Sequence, residues 1–394
     1  MNAWMFSLAL LLLAAFAVEL GARWWLRHRS GYYVFPPGMR VRMQPDPKIS
    51  ASIEPTVRFE VNSDGERGAE VPRTTGALYR VLVAGGSQPE GYVLDQDTSW
   101  PGALHHLLQR PEHLARLGAA AAHVGSVARS GVGSEALDLV LERTLPRYPR
   151  LHAIVILVGA SDVLRWLEQG APGSPAARPL TEEIFRWHPE IRFGWTPGAL
   201  ALVELMRRLR RRWLRPVDVQ AGSCHWIAKA RAMRARATEV RTAMPDPTPM
   251  LEHFDRCLRS ALGRARAHAD RVLVVRQPWF DKDFTADEAA HMWHGAIGQA
   301  WREQVTTFYS HEVLGRLMAL LDARAAQVAD ELGVEHLDLM PVLEPSLEMY
   351  YDFFHATPAG ARVVAAAVAA TLLRQSAPAA RPPEAARCVA SLVS

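Results

Sequence analysis

The run VLVAGGSQPEG places Ser87 directly after Gly85 and Gly86, at the end of a short apolar, β-branched stretch. Two small residues before a serine allow a tight turn in which the hydroxyl protrudes and the serine's own N–H is left to face an oxyanion. Gly-Gly-Ser is also ordinary turn chemistry, so this run alone names no reaction. Towards the other end of the chain, YYDFFHATPAG sets Asp352 three residues before His355, ahead of a Thr-Pro turn and an apolar helix entered near Pro358. A serine hydroxyl is a weak nucleophile until a base takes its proton, and a neutral imidazole is the usual base. The imidazole needs a carboxylate to hold its tautomer and to stabilise the imidazolium that forms, and Asp352 can supply one from the same loop.

These residues do chemistry together only if the fold gathers them. Short, nearly continuous hydrophobic runs recur at 79–84, 121–124, 153–158, 271–276 and 334–339. Helix-period segments separate them at 102–117, 134–145, 248–269 and 312–332. Strands alternating with helices predict a five-stranded parallel sheet covered on both faces, an α/β domain over residues 57–374. Ser87 then ends the first strand and Asp352 and His355 follow the fifth, on the sheet edge where open α/β folds bind ligands. A long helical insertion, about residues 165–265, separates the third strand from the fourth. It holds GAPGSPAARP, the aromatic stretch FRWHPEIRFGW and the basic run MRRLRRRWLR at 206–215. That run suits an anionic membrane surface with Trp213 at the interface, although a solvated helix with one apolar side is the favoured reading.

Residues 3–20, AWMFSLALLLLAAFAVEL, carry no charge before Glu19, which predicts a transmembrane helix within an N-terminal anchor over residues 1–29. Nothing basic precedes the apolar run, so an uncleaved anchor is expected rather than a removed signal peptide. Arg23, Arg27 and Arg29 follow it, and the positive-inside rule taken alone would keep the large domain in the cytoplasm. Residues 30–56, rich in Pro and Gly, read as a linker, and the Ala/Pro-rich 375–394 as a disordered tail.

The chain has 394 residues, a formal charge of +4, and no basic tail with interleaved aromatics, so no nucleic-acid partner is expected. Cys224, Cys257 and Cys388 are too sparse for a disulfide framework and have no zinc-finger spacing; one bridge and three thiols both stay open. His291 and His294, three apart, could chelate a metal but lack an evident third ligand, and no metal or cofactor is expected. Gln277 and Trp279, in RQPWFDK after the fourth strand, are candidates for substrate contact or for anchoring a buried loop.

The blocks LVAGGSQPEGYVLDQDTSWPGAL and Asp352-Phe-Phe-His355 resemble the SGNH (GDSL) hydrolase superfamily across roughly residues 57–373, with Gly86 where many members have Asp. VRFEVNSDGERG at 57–68 looks like the segment leading into this domain in exported, membrane-anchored members. The resemblance implies a flavodoxin-like three-layer sandwich and a serine esterase acting through an acyl-serine, with Ser87, Asp352 and His355 as its triad. It further implies O-deacetylation of a cell-envelope carbohydrate by a bacterial inner-membrane protein whose soluble domain is periplasmic. In the family a Gly N–H and an Asn side chain join the Ser N–H in an oxyanion hole. Here ARSGVGS puts Ala128 at or near the Gly position, and VGASD puts Ser161 in place of the Asn. Loss of one such donor costs ~2.7–4 kcal/mol at the transition state. Two alternatives therefore stand: an acyltransferase, or a catalytically weakened accessory subunit with a membrane protein partner.

Overall fold

The computed structural model describes residues 3–29, 32–175, 182–185, 200–214 and 217–374. The chain opens with helix α1 (Ala3–Arg29), in which Trp4–Leu26 is long and apolar enough to cross a bilayer, with a mean hydropathy of 2.2. Most of its side chains are exposed, and only near its end do Ala22 and Leu26 become buried. The segment expected as a linker is in fact folded: it carries β1 (Arg40–Pro45), which pairs antiparallel with β2 (Val57–Glu60). The Pro and Gly residues around RVRMQ drew attention from its period-two alternation, which buries Val41 and Met43.

The main domain follows with β3 (Leu78–Gly85), α2 (Ser87–Glu90), α3 (Trp100–Leu108), α4 (Pro111–Leu117), β4 (Ala121–Ser126), α5 (Ser134–Thr144), β5 (Leu151–Leu157) and α6 (Ala160–Glu168). The one helix expected over 102–117 is two, because the residue before a proline is pushed out of the helical region. Arg110 is extended, and Pro111 opens α4. The insertion supplies α7 (Ala201–Leu214), β6 (Val217–Ser223), α8 (Trp226–Ala235) and β7 (Glu239–Arg241). It ends before the expected boundary near 265, since α9 (Thr248–His268) is a crossover helix of the main domain. Met250, Phe254, Leu258, Ala261, Leu262 and Ala265 form its buried stripe at helical spacing. The chain continues through β8 (Ala269–Val275), α10 (Ala286–His291), β9 (Thr307–Tyr309), α11 (His311–Glu331), β10 (Glu335–Leu337) and α12 (Pro358–Leu373).

The central sheet has the order β10-β8-β5-β3-β4, and every pairing in it is parallel. Counting its strands alone gives 2-1-3-4-5, the flavodoxin-like order. Crossover helices sort into two groups, α3 with α12 and α5 with α9 and α11, as right-handed connections leaving β3 in opposite directions require. The result is the expected three-layer α/β sandwich, with β3 and β5 buried on both faces. The strand order reverses between β3 and β5, which opens a crevice at their C-terminal ends. Ser87 leaves β3 at that crevice and Ser161 leaves β5 beside it.

Two smaller sheets complete the described residues. In one, β6 of the insertion runs parallel to β1, tying the insertion to the N-terminal segment. In the other, β7 pairs with β9. Residues 375–394, including Cys388, lie outside the described residues, as does most of the stretch 176–199.

Candidate active site

The turn after β3 depends on Gly85. Its φ of +150° and a contact of 1.9 Å between any added Cβ and the Leu157 carbonyl oxygen leave no room for another residue. Gly86 N–H donates to the same carbonyl at 3.1 Å, locking the turn against β5. Ser87 begins α2, so its N–H has no intrahelical partner. Buried Arg67 holds the far side of this loop through the carbonyls of Glu90, Gly91 (2.9 Å) and Leu94 (2.7 Å). Trp100 Nε1 donates to Gln88 Oε1 at 2.9 Å. The hydroxyl is thus carried on a braced turn.

The structure brings Ser87, Asp352 and His355 together. Ser87 Oγ lies 2.7 Å from His355 Nε2, and His355 Nδ1 lies 2.8 and 2.9 Å from the two oxygens of Asp352. The loop that carries them is closed by the Tyr350–Ala356 bridge and by Thr357, which caps α12 by accepting from Gly360 N–H at 3.2 Å. Asp352 is fully buried and surrounded by donors. Besides the imidazole, its oxygens accept from the N–H groups of Phe354 (3.0 Å) and His355 (2.9 Å) and from Trp293 Nε1 (3.0 Å). Burial pushes this carboxyl up, but the charge of His355 and the hydrogen bonds from His355 and the Phe354 amide outweigh it and hold Asp352 well below the usual carboxylate range. Tyr351 stacks on the imidazole, with ring centroids 5.4 Å apart and planes within 8°.

The expected oxyanion residues fare differently. Ala128 is buried, and its N–H donates to Ser126 Oγ at 3.3 Å, so it is not presented to the hydroxyl of Ser87. The next two amides are also engaged: Arg129 N–H by Gly85 O at 3.0 Å and Ser130 N–H by the Glu90 carboxylate at 2.8 Å. Ser161 sits beside the nucleophile turn, its Oγ 3.6 Å from the position a Cβ on Gly86 would take. A cleft of about 60 Å³, lined in part by Ser161, Gly133, Trp166 and His253, opens there. Asp162 faces α5 instead, accepting from Ser134 N–H at 2.9 Å and from its hydroxyl at 2.6 Å. Gln277 is buried near Gly159, and its amide donates to the Pro278 carbonyl at 2.9 Å, which makes it a loop anchor rather than a group held out for substrate.

His291 and His294 are not brought together as a chelating pair. His291 Nδ1 turns to the Asp287 carbonyl at 3.0 Å. His294 is buried against Trp293 and Phe354, and its ring, 5.9 Å from that of His355, has no hydrogen-bond partner on either nitrogen among the described residues. Burial pulls it down to about 3, so it is neutral at pH 7. Its nearest ligand atoms lie within 4.8 Å of those of Asp352 and His355. Asp352, however, already accepts four N–H groups, as many as a carboxylate has lone-pair positions.

Trp293, Tyr351, Arg67 and Glu90 were not expected at this site. Only Glu90, three residues beyond Ser87, carried a local signal. The insertion reaches the site as well: Trp226 meets Trp293 edge-to-face at 4.9 Å, and Arg231 donates to the carbonyls of Lys48, Ile49 (3.0 Å), Tyr351 (2.7 Å) and His291 (2.9 Å).

No protein-family model matches this chain, and no curated protein matches it. Among solved structures it is similar to the acetylxylan esterase Axe2 from Geobacillus stearothermophilus, at 12% identity over 76% of this chain and 95% of that one, with a TM-score of 0.39. It is also similar to a member of the lipolytic protein G-D-S-L family from Veillonella parvula DSM 2008, at 10% identity over 76% of this chain and 100% of that one, with a TM-score of 0.41.

Proposed function

We propose that this chain is a membrane-anchored serine esterase of SGNH type that cleaves an acyl ester through acyl-Ser87. The observation that carries the reading is the continuous path Ser87 Oγ, His355 Nε2, His355 Nδ1, Asp352, with each step at 2.7–2.9 Å. His355 takes the hydroxyl proton as Oγ attacks the carbonyl, then returns it to the departing alcohol. A water activated by the same imidazole releases the acid. Asp352, held ionised, stabilises the imidazolium in both halves. The Ser87 N–H and the Ser161 hydroxyl are the groups placed to receive the developing oxyanion.

The acyl group and acceptor follow from the family resemblance of the sequence blocks: O-deacetylation of a cell-envelope carbohydrate on the periplasmic side of a bacterial inner membrane. An anchor that stays with the mature chain is supported by the contacts of α1 with the domain, where Glu19 accepts from the N–H groups of Ala201 and Leu202. A fluorophosphonate probe should label wild-type protein at Ser87, located by mass spectrometry, and Ser87→Ala should abolish labelling. Folded wild-type protein that stays unlabelled would sink the proposal. A C-terminal reporter active only outside the cytoplasm tests the orientation against the Arg-rich flank of α1.

The engaged amides at Ala128, Arg129 and Ser130 favour a second reading, an acyltransferase or a weakened accessory subunit working with a membrane partner. Product analysis with and without an added glycan acceptor separates transfer from hydrolysis. A fixed copurifying partner together with unchanged function in Ser87→Ala would favour the accessory role.

A further inference from the structure

Helix α7, the basic run of the insertion, packs on the membrane helix α1, and β6, which follows it, pairs with β1 of the domain. Glu19, inside the apolar span Trp4–Leu26, caps the start of α7 by accepting from Ala201 N–H at 2.8 Å and Leu202 N–H at 3.0 Å. Arg23, one turn on, donates to the same carboxylate at 2.7 Å. Ala22 and Leu26 of α1 pack with Ala201, Leu202 and Leu205 of α7. An acidic residue in an apolar span is costly unless it is paired and hydrogen-bonded, and here the start of α7 and Arg23 do both. Glu19 lies seven residues before the end of the span, which puts it about 10 Å along the helix from that end. The uncharged run ends at Val18, and Glu19 and Arg23 follow, so the start of α7 is held where the apolar run gives way to charged residues.

The rest of α7 is built for that position. Leu200, Val203, Met206 and Leu209 recur every third residue and are exposed, Met206 by 69% and Leu209 by 58%. Val203, Met206, Arg207 and Arg210, spaced three, four and seven apart, share one exposed face of the helix, and Arg208, Arg211 and Arg212 bring the arginines of this run to five. An uncovered face that mixes apolar side chains with arginines suits a membrane interface, where the guanidinium heads snorkel to phosphate while the stems stay with the apolar groups.

We infer that α7 is a second membrane contact, lying on the anionic phospholipid surface of the bilayer that α1 spans, with Val203, Met206 and Leu209 in the acyl boundary and Arg207 and Arg210 at lipid phosphates. The occupant follows from continuity, because the helix to which α7 is sealed is the one that enters the bilayer. The inference rests on α1 being a membrane anchor. Its consequence is that the domain is held close to the membrane surface instead of swinging on a tether.

The test uses the full chain in nanodiscs of zwitterionic phosphatidylcholine, with and without phosphatidylglycerol. Nitroxide labels at Met206→Cys or Leu209→Cys, with the three native cysteines replaced by Ser, report oxygen against aqueous nickel-complex accessibility. Leu12→Cys on α1 and Arg316→Cys on α11 serve as lipid and water references. The expected result is a lipid-like reading at 206 and 209, shallower than at 12, with phosphatidylglycerol raising the docked fraction. Arg207→Gln and Arg210→Gln should each lower the ratio of docked to free helix roughly fivefold in phosphatidylglycerol discs. A lipid-like reading at 12 with water-like readings at 206 and 209 overturns the inference and leaves the anchor intact, whereas a water-like reading at 12 overturns the anchor itself. Hydrogen exchange of residues 201–214 in the unmodified chain checks the same point if the cysteine replacements impair folding. Slower exchange in phosphatidylglycerol discs is expected, and identical exchange in both disc types counts against docking.

Discussion

Replacing Trp293 by Phe tests whether the hydrogen bonds around Asp352 matter to catalysis or only to packing. Of the four N–H groups that Asp352 accepts, two are amides of its own turn and one is the imidazole. Trp293 Nε1, at 3.0 Å, is the one a substitution can delete without altering the loop. Phe keeps an aromatic face against Trp226, which meets Trp293 at 4.9 Å. A hydrogen bond to a charged acceptor contributes ~1.5–3 kcal/mol. If half of that is felt at the transition state, where the imidazolium forms, the acylation rate falls roughly 4- to 13-fold. Without that bond the carboxylate is free to turn away from the imidazole, so kcat should fall while KM stays near the wild-type value. The assay is the rate of fluorophosphonate labelling together with hydrolysis of a chromogenic acetate, on protein whose Tm is within a few degrees of wild type. A wild-type rate in Trp293→Phe would refute the positioning argument. A change in KM alone would instead make Trp293 a substrate contact.

Three further outcomes follow from the same coordinates. Ser161→Ala should slow turnover 10²- to 10³-fold if its hydroxyl serves the oxyanion, with Ser161→Asn retaining activity, and a loss under twofold would remove Ser161 from the mechanism. Buried Glu66 is pushed up by desolvation, but the hydrogen bond and charge of His123, then Arg80 and Asn62, outweigh this and hold it at about 2. A lowered carboxyl contributes stability that is complete above its unfolded value near 4.5 and is lost as pH falls towards 2. Urea melts should therefore show a wild-type advantage over Glu66→Gln on the order of 3 kcal/mol at pH 7 that shrinks below pH 4.5; an advantage constant from pH 7 to 3 would contradict the assignment. Gly85→Ala should cost more than ~3 kcal/mol, read as a collapse of Tm or of soluble yield, because the added methyl meets the Leu157 carbonyl.

What could be read from the sequence was what is local or periodic. The five core strands declared themselves because β3 and β5, buried on both faces, are continuous apolar runs, and α9 and α11 because their buried residues keep helical spacing. Ser87 could be placed because a glycine pair ended a strand, and Asp352 and His355 because they share one short loop. β1 was missed because the Pro and Gly residues around it obscure its short alternation, and its pairing with β6, far along the chain inside the insertion, leaves no local trace. Trp293 was missed for a similar reason. The run HMWHG drew attention to its histidines, while the indole between them is the group that reaches Asp352. Ala128 was a reasonable expectation by order along the chain, but which amide is free depends on partners supplied by Ser126, Gly85 and Glu90.

Those partners bear on how the site is built. Glu90, buried three residues after the nucleophile, accepts from Ser130 N–H, and Gly85 O accepts from Arg129 N–H, so the loop after β4 and the turn after β3 are stitched to one another. The bonds that engage the Arg129 and Ser130 amides therefore help to fix the position of Ser87, and Arg67 adds its carbonyl contacts on the other side. The consequence is a nucleophile turn that is rigid but has fewer amides available for the oxyanion. Ser161 is the side chain to test beside the Ser87 N–H: it stands at the start of α6, just past the end of β5, and its hydroxyl adjoins the turn. Loss of the Ser161 hydroxyl therefore tests oxyanion stabilisation by itself, since the Ser87–His355–Asp352 path does not pass through it.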